Sequence, residues 1–210
     1  MKVALFGGAF NPVTLGHIQT ARFILDHCPD ICEVWLTPCH KHRYGKDLAP
    51  NTQRLEMLTL ATSEEKHIQV FDYETALKLP GDTYTFISLL LNDFFYLNFQ
   101  FCMAIGMDNA ATFAKWYRHE EVRKMIPFII LPRKGYTAPA DPWYAQEEGP
   151  THVDLSQKPN PLMEVSSTQV REAITRRDMA YLKTSLDIKV RGYIATNKLY
   201  GYGNIKGKND

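Results

Sequence analysis

The chain is expected to fold as an α/β protein on a doubly wound, mostly parallel sheet. Three observations carry this. Short buried-strand runs alternate with stretches of helical periodicity, the first run stops at a glycine pair just ahead of a helix, and 210 residues at 45% hydrophobic content can bury one fair-sized core. A single domain over 1–210 is the default for that length.

Residues 3–6 are an apolar run ended by Gly7 and Gly8, after which Ile18, Ala21, Ile24 and Leu25 recur at helical spacing. Residues 33–36 read as a second strand and 38–50 as a basic loop. Leu55, Leu58 and Ala61 mark a helix that can start at Asn51 or Thr52. A strand is expected at 68–71, a helix at 84–91, a strand at 101–105, a helix at 110–117 and a strand at 128–131. Six of the twelve prolines fall in 132–161, so that segment is expected to be a loop-rich, mobile flap with one strand at 152–155. From Ser167 onward the pattern is helical through Val170, Ile174, Leu182, Leu186, Val190 and Ile194, and 201–210 is polar and should fray.

Lys and Arg number 24 against 23 Asp and Glu, and no long basic run is present, so a footprint for nucleic acid is not expected. No apolar stretch approaches the roughly 18 residues a membrane span needs. The first apolar run is broken by Gly7, Gly8 and Pro12 too early for a signal peptide. These readings point to the cytoplasm and away from a membrane, and they leave room for a homo-oligomer. Cys28, Cys32, Cys39 and Cys102 make no CxxC pair and read as ordinary thiols.

The densest chemistry lies at 7–17, GGAFNPVTLGH, between the first strand and the first helix. Adjacent glycines let a ligand approach the backbone, and a helix N-terminus offers unpaired N–H groups to phosphate. The spacing is neither GxGxxG nor GxxxxGK[ST], which disfavours dinucleotide oxidoreductases and P-loop kinases. Thr14 and His17 share one side of the first helical turn with Gly16 between them, and both can donate to phosphate oxygens. The bland alternative is a Thr14 helix cap beside a surface histidine.

A second cluster, Ser166, Ser167, Thr168, Gln169 and Arg171, opens the late helix. Ser166 with Gln169 fits a capping box. Arg171, one turn inside, would aim its guanidinium at the end where Ser167 and Thr168 present hydroxyls, making a second phosphate cradle. His40, Lys41, His42 and Arg43 add positive charge after the second strand. Cys39, His40 and His42 lack the second ligand pair that a zinc site requires.

Taken in order, GGAFNPVTLGH (7–17), PCHK (38–41), QRLEMLTLA (53–61), DTYTFISLL (82–90), IGMDNAATFAKW (105–116), LPRKG (131–135) and VSSTQVREAI (165–174) resemble the nucleotidyltransferases with HxGH or TxGH and SSTxxR signatures. Among these the match is to the nicotinate-nucleotide adenylyltransferases. The resemblance implies a Rossmann-like sheet of the nucleotidyltransferase type and transfer of AMP from ATP to nicotinate mononucleotide, with Mg²⁺ on the ATP phosphates. It implies that His17 donates to the α-phosphate, that Thr14 holds a phosphate oxygen, and that Arg171, Ser167 and Thr168, with Ser166, meet the β- and γ-phosphates. Gly7, Gly8, Ala9, Phe10, Gly16, Lys41, Gly106 and Asp108 would complete the ATP site. Trp116 would stack on the pyridine ring, and Tyr84 and Thr85 would meet the nicotinate carboxylate.

Two positions depart from the family pattern: Asn11 stands where an Asp is usual, and Thr14 where the first His of HxGH is usual. Threonine there resembles pantetheine-phosphate adenylyltransferase, which is the alternative reading. A nucleotide-binding module without turnover is the second.

Overall fold

The computed structural model describes residues 1–41, 45, 47–145, 149–159 and 165–203. Strand β1 (Lys2–Gly8) leads to helix α1 (Leu15–His27), β2 (Glu33–Pro38), α2 (Asn51–Thr62) and β3 (Ile68–Val70). Helices α3 (Tyr73–Ala76) and α4 (Thr83–Leu91) precede β4 (Gln100–Gly106), α5 (Met107–Ala111), α6 (His119–Met125) and β5 (Phe128–Leu131). The short β6 (Val153–Asp154) and helices α7 (Ser167–Arg176), α8 (Met179–Ser185) and α9 (Ile188–Thr196) complete the order. Short 3₁₀ turns lie at Phe94–Tyr96, Phe113–Lys115, Trp143–Ala145 and Leu199–Gly201.

The six strands run in the order β3-β2-β1-β4-β5-β6, and every pairing among the described residues is parallel. Sequence alternation sorts the core onto the two faces, because successive side chains of a strand point to opposite sides. Ala4, Val34, Leu36, Ala104 and Ile129 pack beneath α1, α2 and α7 to α9. Val3, Leu5, Trp35, Phe101, Met103 and Phe128 pack with Phe86, Ile87, Phe113 and Val122 on the other side. The chain reverses its direction of winding between β1 and β4, which leaves a crevice at the carboxyl ends of those two strands.

The helix expected at 110–117 is different. It starts earlier, with Gly106 as the extended N-cap, and ends at Ala111. The Thr112 hydroxyl turns back to the carbonyls of Asp108 and Asn109 (3.0 and 3.3 Å), competing with the next helical bond, and a 3₁₀ turn follows. Trp116 is therefore in extended backbone beyond that turn. The late helical stretch is three helices: Arg177 adopts a left-handed φ of 58° and ends α7, and Asp178 and Asp187 cap α8 and α9.

The flap expected at 132–161 holds a fixed point. Trp143 stacks on Phe113 with centroids 3.9 Å apart, its indole N–H donates to the Ala110 carbonyl at 3.0 Å, and Tyr144 is buried. The strand expected at 152–155 is reduced to β6. Of the basic loop, His42 and Arg43 lie outside the described residues, as does 204–210 of the tail. No described helix is long and apolar enough to cross a membrane.

Candidate active site

A cleft of about 730 Å³ opens at the β1–β4 crevice. Gly7, Gly8, Ala9 and Phe10 line it from the loop after β1, Lys41 from beyond β2, and Gly106 and Asp108 from the end of β4. His17, Trp116, Ser166, Ser167, Thr168 and Arg171 line it as well. Gly16 lines an adjoining hollow of about 180 Å³ with His17, Asp108 and Arg133. Small residues have steric reasons here. A Cβ on Gly8 would come within 3.0 Å of the Phe10 ring, and one on Gly106 would collide with the Asp108 carboxylate.

His17 is oriented from behind. Its Nδ1 accepts the Thr14 backbone N–H at 3.0 Å and lies 2.8 Å from the Thr14 hydroxyl. A ring nitrogen that accepts carries no proton, so the proton sits on Nε2, on the other edge of the ring. Phe10 buttresses the imidazole at 5.0 Å between centroids. Burial, then the Arg133 charge, pushes the His17 pKa down to about 4, so the ring is neutral near pH 7. Thr14 itself is 2% exposed. Its hydroxyl faces His17 and does not line the cleft, which makes it a positioning residue in place of the phosphate donor expected above.

The start of α7 is built as a brace. Ser166 and Gln169 form the capping box, the Ser167 hydroxyl donates to the Pro12 carbonyl at 2.8 Å, and Arg171 Nη1 donates to the Asn11 carbonyl at 2.7 Å. Arg171 Nη2 also reaches the Thr168 hydroxyl at 3.2 Å. The cradle thus grips the β1 loop while facing the cleft.

Asn11 is the hub of that grip. Its Oδ1 accepts from the Ala49 N–H and the Tyr200 hydroxyl, each at 3.0 Å, and its Nδ2 donates to the Asp47 carbonyl at 3.2 Å. An aspartate keeps the two acceptances and turns the third contact into a repulsion. Asn11→Asp is therefore expected to lower stability by about 1–3 kcal/mol, read as a lower urea midpoint at unchanged slope.

Tyr84 and Thr85 do not line the cleft; Gly81, Asp82 and Thr83 of the same turn do. The Arg118 guanidinium sits over the Tyr84 ring at 3.9 Å. The Thr85 N–H and hydroxyl are occupied by the Asp82 carboxylate, at 2.8 and 3.0 Å.

Several residues of the site carried no role in the sequence reading. Arg54, fully buried, donates to the carbonyls of Ala9, Cys39 and Ala49 at 2.7, 2.7 and 3.1 Å. Arg133 lines the cleft and faces Asp108 at 3.9 Å. Glu74 also lines it, and burial, then Asp82, pushes its carboxyl up to about 8. His40, read as part of the basic loop, does not line the cleft; its Nδ1 accepts from Asn51 at 2.6 Å. Among the described residues no cluster of three or more His, Cys, Asp or Glu could hold a metal ion.

The family model described as cytidylyltransferase-like matches residues 5–173. A Bacteroides thetaiotaomicron protein named "probable nicotinate-nucleotide adenylyltransferase" is 32% identical over 92% of this chain and 91% of its own length. A Bacillus cereus protein of the same name is 31% identical over 95% of this chain and 98% of its own. In fold, the Plasmodium falciparum nicotinic acid mononucleotide adenylyltransferase complexed with NaAD superposes with a TM-score of 0.78 at 20% identity, over 96% of this chain and 98% of that one.

Proposed function

Since the chain belongs to the cytidylyltransferase-like family, and within it to the nicotinate-nucleotide adenylyltransferases, we propose that it transfers AMP from Mg-ATP to nicotinate mononucleotide, yielding deamido-NAD and pyrophosphate. The observation that carries the reading is the continuity of the cleft, which joins the glycine loop, His17 and the α7 N-terminus to Trp116 and the turn into α4 in one space. A volume of about 730 Å³ suits two nucleotides held end to end.

The acceptor's phosphate oxygen attacks the α-phosphorus in line; the new P–O bond forms as the bond to the β-phosphate oxygen breaks, and pyrophosphate leaves with that electron pair. No group of the chain becomes covalently attached, so catalysis is positioning and charge neutralisation. His17 donates its Nε2–H to a non-bridging α-oxygen as charge builds there. Arg171, Lys41 and the Ser167 and Thr168 hydroxyls receive the departing pyrophosphate, with arginine's planar fork suited to two oxygens at once. Asp108 accepts from ribose hydroxyls. Magnesium, carried on the ATP phosphates, would supply charge neutralisation there. The reading carries a cytoplasmic location with it, where both substrates are found, and one nucleotidyltransferase domain over 1–210.

The phosphopantetheine alternative raised by Thr14 is not favoured, since the relatives carry the nicotinate name. Pyrophosphate release from Mg-ATP, with nicotinate mononucleotide, nicotinamide mononucleotide and phosphopantetheine offered separately, decides the matter. Release with nicotinate mononucleotide is expected. Release with phosphopantetheine alone, or with none while ATP still binds, sinks the reading.

A further inference from the structure

Two carboxyl groups, Glu74 of α3 and Asp82 at the start of α4, line the cleft together with Trp116 and Tyr117. The α4 turn and the Tyr117 segment meet through Tyr84, whose ring centroid is 5.8 Å from that of Tyr117. The two carboxyls are in opposite states. Asp82 is engaged on both oxygens by Thr85, through the N–H and hydroxyl that a helix N-terminus would otherwise offer an incoming anion. A negative charge is already seated there.

Glu74 is 8% exposed and lines the cleft, and its carboxyl has no hydrogen-bond partner among the described residues. Burial and the Asp82 charge favour its neutral form, and only Arg54 opposes them. Arg54 spends its N–H groups on backbone carbonyls and the Asn51 side chain. The nearby Cys39 thiol is kept protonated by its own burial. A neutral carboxylic acid has one proton to donate, and nothing in the described structure takes it.

The acceptor named above supplies a taker. Resting on that reading, we propose that Glu74 is a specificity-determining residue of the acceptor subsite, donating its carboxyl proton as a hydrogen bond to the carboxylate of nicotinate mononucleotide. An O–H···O⁻ bond is of the strong, charge-assisted class. When Glu74 loses the proton it joins Asp82 as a second negative charge facing the ligand anion, and attraction becomes repulsion. A carboxamide behaves differently: its oxygen accepts from the protonated acid and its N–H₂ donates to the ionised one, so nicotinamide mononucleotide fits either state.

The test is the KM of each acceptor from pH 7 to 9.5, a range in which the acceptor phosphate, with a second pKa of about 6, is about nine-tenths ionised or more. For nicotinate mononucleotide, KM is expected to rise about tenfold per pH unit once Glu74 titrates, the dependence of a single proton. For nicotinamide mononucleotide, KM should stay within about threefold. Glu74→Gln keeps a donor that does not titrate, and should flatten the nicotinate KM profile. Parallel KM profiles for the two acceptors in the unmodified protein overturn the inference whether or not the variant folds, and so does a Gln variant whose profile still rises. Failure to transfer AMP to nicotinate mononucleotide at any pH removes the functional reading and this inference with it. Transfer with an acceptor KM ratio independent of pH removes only the role of Glu74.

Discussion

Alanine in place of His17 is expected to lower kcat about 10²–10³-fold, on the order of 2.7–4 kcal/mol of barrier, with the KM for ATP moving less than about threefold. The expectation follows from how the ring is held. Thr14 occupies Nδ1, Phe10 packs against the ring, and the donor left for the cleft is Nε2–H. Such a donor is set before substrate arrives, so its loss falls on the step in which charge develops at the α-phosphate. With a pKa of about 4, His17 stays neutral through the range where an ordinary histidine titrates near 6.5, and kcat/KM should show no His17 limb between pH 5 and 8. Stability has a definite sign as well. The unfolded chain binds this proton first, so acidification from pH 6.5 to about 4 weakens the fold, and His17→Ala should remove that part of the slope. Undiminished turnover in the alanine variant would take His17 out of the mechanism.

Arg54→Met is expected to cost about 3–5 kcal/mol of folding stability, a large share of what a typical domain has in total. The side chain is fully buried, and its donors close the carbonyls of Ala9, in the loop after β1, and of Cys39 and Ala49, at the two ends of the loop between β2 and α2. A buried carbonyl left without a donor costs about 1–3 kcal/mol, and methionine of similar volume fills the space without meeting any of them. Arg54→Lys should recover only part, because a lysine ammonium cannot span carbonyls arranged for a planar fork. Urea unfolding measures both variants, and a loss below about 1 kcal/mol in Arg54→Met would show that water replaces the guanidinium.

Local chemistry was legible in the sequence and long-range partnership was not. The strands β1, β2, β4 and β5 declare themselves because buried parallel strands are continuous apolar runs such as Phe128–Leu131. Helix α6 is HEEVRKM, with Val122 its one buried apolar residue, and periodicity has nothing to register. The glycine loop, His17, the α7 cluster and Trp116 all reach the cleft, as motifs of contiguous residues can. Arg54 and Asp82 escaped, and Asn11 was noted only as a departure from the family pattern, because their partners define them. An arginine inside an amphipathic helix looks like a solvated face until Ala9, 45 positions away, is seen accepting from it. Asp82 is ordinary as a helix cap, and acquires weight only where Glu74 shares its wall. Thr14 was read as a phosphate donor, and its hydroxyl lies 2.8 Å from His17 Nδ1, since a hydroxyl beside an imidazole can turn inward as readily as toward a ligand.

The braces on Asn11 and Pro12 span the chain: Ser167 to Pro12 over 155 positions, Arg171 to Asn11 over 160, and Tyr200 to Asn11 over 189. During synthesis the strands β1 to β5 are complete once residue 131 has emerged, and the sheet can begin to pair. The loop that carries the first motif must then wait for the last helices to be made. A ribosome-bound chain stopped before residue 167 should therefore bury apolar surface yet bind ATP poorly, because contacts of such high sequence separation are the slowest to close. The loop of the first motif is completed in one late step, when Ser167, Arg171 and Tyr200 reach back to Asn11 and Pro12.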